Sequence, residues 1–578
     1  MHPSAHVDTF TRDHLPPPEQ WPTLLFDLPE FRHGPVLNAA AALIEGQLAA
    51  GRGDAPAIHA LDGDRLVTWT YAELARRVDA IAHVLTGRMG LVPGNRVLLR
   101  GPNNPMMAAC WLAVVKAGLV AVATMPLLRS KELAQVVRKA QVTAALCDAR
   151  LADELAHCLD PSHEHHCPML ARALLFDGLG RTQEVGGSDG GPGAVGAAPG
   201  TAASVAGGKP LEPIEPLLDA SGAPFPACPT ASDDVALIAF TSGTTGEPKG
   251  TMHFHRDVII MCDAFPPHVL KPTPDDIFCG TPPLAFTFGL GGMLCFPMRA
   301  GASTLLVERL TPETLLAAIA KARATICFTA PTFWRQMAPL VPTHDIVSLT
   351  KCVSAGEALP DATRQLWKEA TGIEIIDGLG STEMIHIFIA SAGADVRRGT
   401  VGKPIPGYQA CIVDEAMNPL PPGTVGRLAV RGPTGCRYLA DERQRNYVRD
   451  GWNLTGDTFT MDADGYFVYQ ARSDDMIISA GYNIAGPEVD SALLTHPAVA
   501  ECGVIGASDP ERGQVVKAFV VLKPGHARDA AMAGALQEHV KAAIAPYKYP
   551  RVVQFVDALP RTETGKLQRF KLRDIAAD

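Results

Sequence analysis

The sequence predicts an α/β protein with a large, multi-layer N-terminal domain and a small α+β C-terminal domain. Three observations predict it. Strand-like and helix-like apolar patterns alternate along most of the chain, as layered α/β folds require. The 578 residues exceed what one core holds, and at roughly 150 residues per domain they make about three or four structural units. After a polar stretch at Arg472–Asp475, the remaining chain reads as a compact strand-and-helix unit of its own. The expected boundary divides residues 1–471 from 472–578.

Composition narrows the class. Apolar residues make up 47% and charged residues 19%, which fits a soluble globular protein. The net charge of −10 offers no basic footprint for nucleic acid. The 13 cysteines are scattered and never spaced C-x-x-C, and the opening MHPSAHVDTF carries no signal-peptide pattern. Reduced thiols and a cytoplasmic location are expected. The most apolar region, Met106–Leu128, is broken by Lys116, Gly118 and Pro126, so it reads as a core helix and strand and no membrane partner is expected.

Along the chain, residues 1 to about 40 are Pro-rich and irregular. From Trp69 the apolar spacing is helical, with Thr70 placed to cap three residues before Glu73. Asn95–Arg100 reads as a short strand. Gly186–Gly208 has almost no large apolar residue and is expected to be a flexible insertion. Cys158 and the run HEHHC at His163–Cys167 resemble metal ligands, but no second pair completes a tetrahedral site; a solvated loop is expected there. In the last unit, HPAVAECGVIG and VVKAFVVL read as strands and LQEHVKAAI as a helix.

The chemistry begins at VALIAFT, a buried strand by composition, followed by TSGTTGEPKG and then by a helical pattern in HFHRDVIIMCDAF. Strand, glycine-rich loop and helix form the context of a phosphate loop: glycines let the backbone approach an anion, and amides and hydroxyls donate to it. A Walker A loop is excluded, because Gly246 follows Gly243 by only three residues and Lys249 is followed by Gly250.

TSGTTGEPKG resembles the signature of the acyl-adenylate-forming superfamily, which includes acyl-CoA synthetases, stand-alone adenylation domains and luciferases. Further motifs follow in that family's order: SAGEAL at Ser354–Leu359, GLGSTE at Gly378–Glu383, TGD at Thr455–Asp457, ARSDDMIISAGYNI, and TETGKLQR at Thr562–Arg569. The resemblance runs from about Trp69 to Lys566, apart from the insertion. It implies ATP, Mg²⁺ and coenzyme A as cofactors and co-substrates, and a mobile C-terminal lid. Thr241, Ser242, Gly243, Thr244, Thr245, Gly246 and Lys249 would hold the β- and γ-phosphates. Gly356, Glu357, Asp377, Gly378, Leu379, Gly380 and Ser381 would line the rest of the nucleotide, with Thr382 at the α-phosphate and Glu383 on Mg²⁺. Asp457 and Arg472 would hold the ribose. Lys566 would stand between carboxylate and α-phosphate, where charge builds up. Asp474 falls at the hinge. Gly481 falls beside the pantetheine path, with Ala480, Tyr482, Arg512 and Tyr549 as weaker positional candidates for coenzyme A. Two positions depart from the family pattern: Leu379 replaces an aromatic and Ala471 a glycine.

The implied chemistry makes sense of these residue types. A carboxylate is a poor electrophile, and joining it to AMP creates a good leaving group. The step sets an anion against a polyanion, so charge must be neutralised and the partners aligned. The acyl-pocket region of the resemblance falls on TPPLAFTFGLGGMLCFP and STEMIHIFI. Phe286 and Phe288 supply flat apolar walls, Gly289 and Gly291 leave room, and His386 and Ile387 lie just past the acidic motif. Flat aromatics around a compact slot suit a ring. These stretches resemble benzoate- and 2-aminobenzoate-CoA ligases, so the expected partner is an aromatic carboxylate. His386 either accepts a hydrogen bond from an ortho amino group or only shapes the pocket. APYKYPR and RGQVVKAFVVL also resemble medium-chain acyl-CoA synthetases. A stand-alone adenylating enzyme that loads a carrier protein, and a non-catalytic acyl-AMP-binding protein, are the other readings. Monomer and homodimer both stay open.

Overall fold

The computed structural model describes residues 1–181, 211–218, 223–241, 248–472, 476–479, 482–509, 512–561 and 567–577, with only the main chain described at Arg472, Ile478, Tyr482, Asn483, Gly513 and Ala577. The expected insertion at 186–208 lies outside these residues. Two large sheets organise the N-terminal part. One has nine strands, and its inner six are parallel: Pro56–Asp62, Ser303–Leu306, Ile277–Gly280, Ile326–Thr329, Lys351–Ala355 and Ile375–Gly380. The other has seven, parallel except for its edge strand Lys249–Phe254, which pairs antiparallel with Val235–Thr241.

Helices fill the space between these sheets. Pro105–Lys116 and His255–Phe265 touch strands of both, which is why Pro105–Lys116 is buried at every residue. The Asn104 side chain caps it by accepting from Met107 N at 2.9 Å. Its one charge, Lys116, is neutralised by Asp79 and Glu45. Gly118, at φ +74°, turns the chain into strand Val120–Thr124. The apolar run is thus a core helix and strand, and no described helix is long and apolar enough to cross a membrane. Helix Tyr71–His83 starts at Thr70, whose hydroxyl accepts from Glu73 N at 3.2 Å. Its buried residues Tyr71, Leu74, Val78 and Ile81 recur at helical spacing.

A third, antiparallel sheet contains Gln409–Val413, Gly426–Arg431, Trp452–Met461 and Phe467–Arg472. From Ile477 onward the strands build their own sheet. Val499–Asp509 and Gly513–Leu522 pair antiparallel, and Val552–Phe555 joins in parallel. Helices Gly486–Leu494 and Ala530–Ala543 close a separate small core with it, around Val489, Val504, Val520 and Leu536.

One local expectation changes. The residues after the glycine-rich loop form a strand, Lys249–Phe254, and the helix begins only at His255. Thr241 pairs with Lys249, so the loop joins two hydrogen-bonded strands and does not run into a helix N-terminus. The His/Cys segment also differs. Cys158 and Cys167 are fully buried in the core, and it is His157 and His163 that stack at the surface, 4.3 Å apart.

Candidate active site

The six parallel strands of the nine-stranded sheet all end on one side. In open α/β sheets that carboxyl edge is where ligands bind. Phe286 and Phe288 lie beyond the end of Ile277–Gly280, Gly356 and Glu357 just beyond Lys351–Ala355, and Ser381, Thr382 and Glu383 just beyond Ile375–Gly380. Asp377 and Gly378 pair with Ser354 and Ala355 within the sheet. The fold thus gathers segments more than 90 residues apart along one edge.

The turn Ser381–Ile385 carries the densest chemistry. Met384 N bonds Ser381 O at 3.2 Å and Ile385 N bonds Thr382 O at 3.1 Å. Ile385 adopts φ +69°, a costly conformation for a β-branched residue that stores roughly 1–3 kcal/mol. The surroundings hold it there. His253 Nε2 donates to Thr382 O at 2.8 Å, and Thr434 Oγ1 donates to Met384 O at 2.9 Å. Tyr438 Oη donates to Glu383 Oε1 at 2.5 Å, and Tyr447 Oη lies 3.3 Å from Ser381 Oγ.

Tyr438 also joins this turn to the glycine-rich hairpin. Strand Lys249–Phe254 pairs on its other side with residues 437–439, through Met252 N to Arg437 O and Leu439 N to Gly250 O, both 2.8 Å. Lys249 Nζ sits 5.4 Å from the centre of the Tyr438 ring. One phenol therefore touches the loop lysine with its face and the acidic residue with its hydroxyl. Burial, and then the Glu383 charge, push its ionisation far above the usual tyrosine range, so it remains a donor. Behind it, Arg437 Nη1 pairs with Asp257 Oδ2 at 2.9 Å, both fully buried. Burial raises and Arg437 lowers the Asp257 carboxyl, with the guanidinium winning and holding it well below the ordinary range. Tyr438, Tyr447, His253 and the Arg437–Asp257 pair escape sequence reasoning, because none belongs to a motif used there.

The other predicted nucleotide residues lie on several elements. Asp457 and Arg472 are direct cross-strand partners in the third sheet. Leu379 is half-buried at the sheet edge. Gly356 has φ +91°, which a side chain rarely tolerates. Asp377 is buried 3.7 Å from Arg364 Nη2, and burial raises its pKa to about 7 against the opposing pull of Arg364. Glu357 accepts from Leu567 N at 2.8 Å. Ser242–Gly246, Asp474, Ala480, Gly481 and Lys566 lie outside the described residues. Tyr482 pairs with Ser479 in the C-terminal sheet. Arg512 is exposed, and Tyr549 is covered by Lys541 and Arg551.

The acyl region is apolar and tight. His386 is almost fully buried among Phe265, Phe288 and Phe296, with ring centres 5.9, 5.7 and 4.5 Å away. Neither ring nitrogen makes a hydrogen bond of normal geometry, although the Phe288 main chain interacts with the ring. Burial lowers its pKa to about 3, so the ring is neutral at physiological pH. The glycines do not leave open room as expected. A Cβ on Gly291 would meet His386 Cδ2 at 2.5 Å, and one on Gly289 would meet Pro283 O at 2.0 Å. The protein's own groups fill both spaces. Beside Phe286 a small cavity opens, walled by Trp111, Ala123, Ala239, Thr287 and Leu290. Ile387 is buried and covers Gly378.

Comparison with known proteins agrees with this architecture. Residues 46–438 match the family described as AMP-binding enzyme, and residues 488–566 match the AMP-binding enzyme C-terminal domain. The chain is 34% identical over 542 residues to the benzoate–CoA ligase of Thauera aromatica, covering 93% of this chain and 95% of that one. It is 33% identical over 521 residues to the mitochondrial acyl-coenzyme A synthetase ACSM5 of Rattus norvegicus, covering 88% and 84%. Among solved structures, the anthranilate CoA ligase AuaEII in complex with anthranoyl-AMP aligns with TM-score 0.83 at 30% identity, covering 95% of this chain and 99% of that one. With half or more of its length matched by the family model, the chain belongs to the AMP-binding enzyme family.

Proposed function

We propose that this AMP-forming acid–thiol ligase, which uses ATP, CoA and a carboxylate, acts on an aromatic acid, benzoate or 2-aminobenzoate. The observation that carries the reading is the aromatic box around His386, only three residues from Glu383 on one strained turn. A ring seated against Phe286, Phe288 and His386 would have its carboxylate near the polar edge where Thr382 and Glu383 stand. The named activities of the benzoate and anthranilate ligases support the same substrate class. Neutral, buried His386, without a normal hydrogen bond of its own, is suited to accept from an ortho amino group.

In the first half-reaction the acid's carboxylate oxygen attacks the α-phosphate of ATP, releasing diphosphate and leaving acyl-AMP. In the second, the CoA thiol attacks the acyl carbon and AMP departs. Thr241, Lys249 and the loop between them hold the outer phosphates, and Thr382 orients the α-phosphate. Asp457 and Arg472 grip the ribose. Lys566, carried by the C-terminal lid of residues 472–578, neutralises charge between the reactants, and Asp474 is the hinge between the two steps. The oxygen donors on the turn fit Mg²⁺: a half-buried carboxylate, Glu383, next to the hydroxyls of Thr382 and Ser381. The ion would neutralise phosphate charge. Tyr438 keeps the carboxylate in place by donating to one oxygen.

Product analysis by mass spectrometry tests the reading. The protein is incubated with ATP, Mg²⁺ and one acid at a time (benzoate, 2-aminobenzoate, octanoate), with and without CoA. Aryl-CoA and AMP are expected, with Lys566→Ala lowering adenylation by about 10²-fold or more. Octanoyl-CoA as the dominant product would move the enzyme to the medium-chain class. Aryl-AMP without thioester would point to a carrier-protein acceptor.

A further inference from the structure

Glu357 belongs to a stretch expected to line the nucleotide, yet its carboxylate serves the C-terminal domain. Its Oε1 accepts from Leu567 N at 2.8 Å and lies 3.8 Å from Arg561 Nη1. Arg561 and Leu567 bridge each other in an antiparallel pair. They flank the segment that ends in Lys566, so one carboxylate of the large domain holds both sides of that segment's base. Arg561 makes two further bonds of 3.0 Å, to Thr332 Oγ1 across the interface and to Glu501 Oε2 on its own side.

A second grip lies next to it on helix Pro331–Met337, which carries Thr332. Half-buried Arg335 spends its guanidinium on main-chain carbonyls of the C-terminal domain: Nε to Ala500 O at 3.1 Å, and Nη2 to Val499 O at 3.4 Å and Leu494 O at 3.5 Å. Leu494 ends helix Gly486–Leu494, where carbonyls lack helical partners and the dipole favours a cation. Burial lowers the Arg335 pKa, so its charge carries a desolvation cost that these carbonyls offset. A rotation of the C-terminal domain would strip Arg335 and Glu357 of these partners together. The contacts therefore belong to one domain orientation, the one that brings the flanks of Lys566 to the nucleotide edge.

We infer that Arg335, Glu357 and Arg561 form a clamp that selects the adenylate-forming orientation of the C-terminal domain, acting as positioning residues for the first half-reaction and not for the second. The inference rests on the ligase reading above. Two activities and one structural readout test it in the full-length protein. Acid-dependent exchange of labelled diphosphate into ATP follows adenylate formation. Prepared benzoyl-AMP with CoA follows thioester formation. Hydrogen exchange of a peptide that begins at Leu559 and runs to residue 577, without ligands, follows the Leu567 amide. Arg335→Ala and Arg561→Ala are expected to lose about tenfold or more in exchange, keep thioester formation within about twofold, and exchange faster at the peptide. Arg335→Lys and Arg561→Lys guard against misfolding and should show the same split, smaller in size. Equal losses in both half-reactions, no loss in either, or unchanged hydrogen exchange would overturn the clamp. If the unmutated protein formed no adenylate from any acid, the ligase reading would fall, while hydrogen exchange would still decide whether the clamp exists.

Discussion

Glu383 and His386 are three residues apart and live in opposite environments. Glu383 is half-buried and hydrogen-bonded by Tyr438, within a network that reaches Lys249, His253 and the Arg437–Asp257 pair. His386 is enclosed by three phenylalanine rings and makes no hydrogen bond of normal geometry. The strained Ile385 between them turns the chain from one environment to the other. The polar side carries the residues proposed to meet the nucleotide, and the apolar side those proposed to meet the acid. Changes on the polar side should therefore damage the turn or the chemistry as a whole, and changes on the apolar side should alter preference.

The largest effect is expected on the polar side. Asp257→Ala leaves Arg437 fully buried without its counter-ion, at a cost of about 3–5 kcal/mol. Urea unfolding should show this loss, and the remaining folded protein should bind ATP weakly, because residues 437–439 pair with the strand that starts at Lys249. A variant as stable as the parent would mean that the pair is not the keystone behind Tyr438.

The next contrast is electrostatic. Folded His386 has a pKa near 3, lowered by burial, whereas an unfolded histidine titrates near 6.5. Below about pH 6.5 the unfolded chain takes up a proton that the folded protein refuses, so stability is full above that pH and is lost as pH falls toward 3. From pH 7.5 to 5 the parent should lose about 2 kcal/mol more than His386→Leu. Asp377 works in the opposite direction: its pKa is raised to about 7, so its contribution falls as pH rises through that value, but it is common to both proteins and cancels. Equal losses would mean that His386 is hydrated or paired.

The sequence makes this division only partly legible. TSGTTGEPKG, GLGSTE and TGD are legible because each is a run of chain neighbours: the first reads as a phosphate loop from its residue types, and the other two stand out by their resemblance to the family's motifs. The alternation of strand and helix, and the Thr70 cap, are equally local, and the layered fold follows from them. Tyr438 and His253 are hidden because their partners lie 55 and 129 residues away. HFHRDVIIMCDAF reads as a helix from its first residue, yet His253 and Phe254 end the strand Lys249–Phe254. Tertiary pairing with residues 437–439 decides it. The glycines of the acyl region mislead for a related reason. A missing side chain signals room, but only the fold says whether a ligand or the protein occupies it.

Gly291 turns that last point into the smallest and most selective test. A methyl group there would lie 2.5 Å from His386 Cδ2 and 2.7 Å from Nε2, so the ring must move toward the acid or out of its box. Gly291→Ala should lower kcat/KM for the aryl acid by about tenfold, with the KM for ATP unchanged, since no nucleotide contact is touched. Adding His386→Ala removes the colliding ring. The double variant should then be no worse than His386→Ala by itself, the non-additivity expected of residues in direct contact. Losses that multiply in the double variant would show that Gly291 acts through another neighbour, with Phe296, 3.0 Å from the same Cβ position, the first to examine.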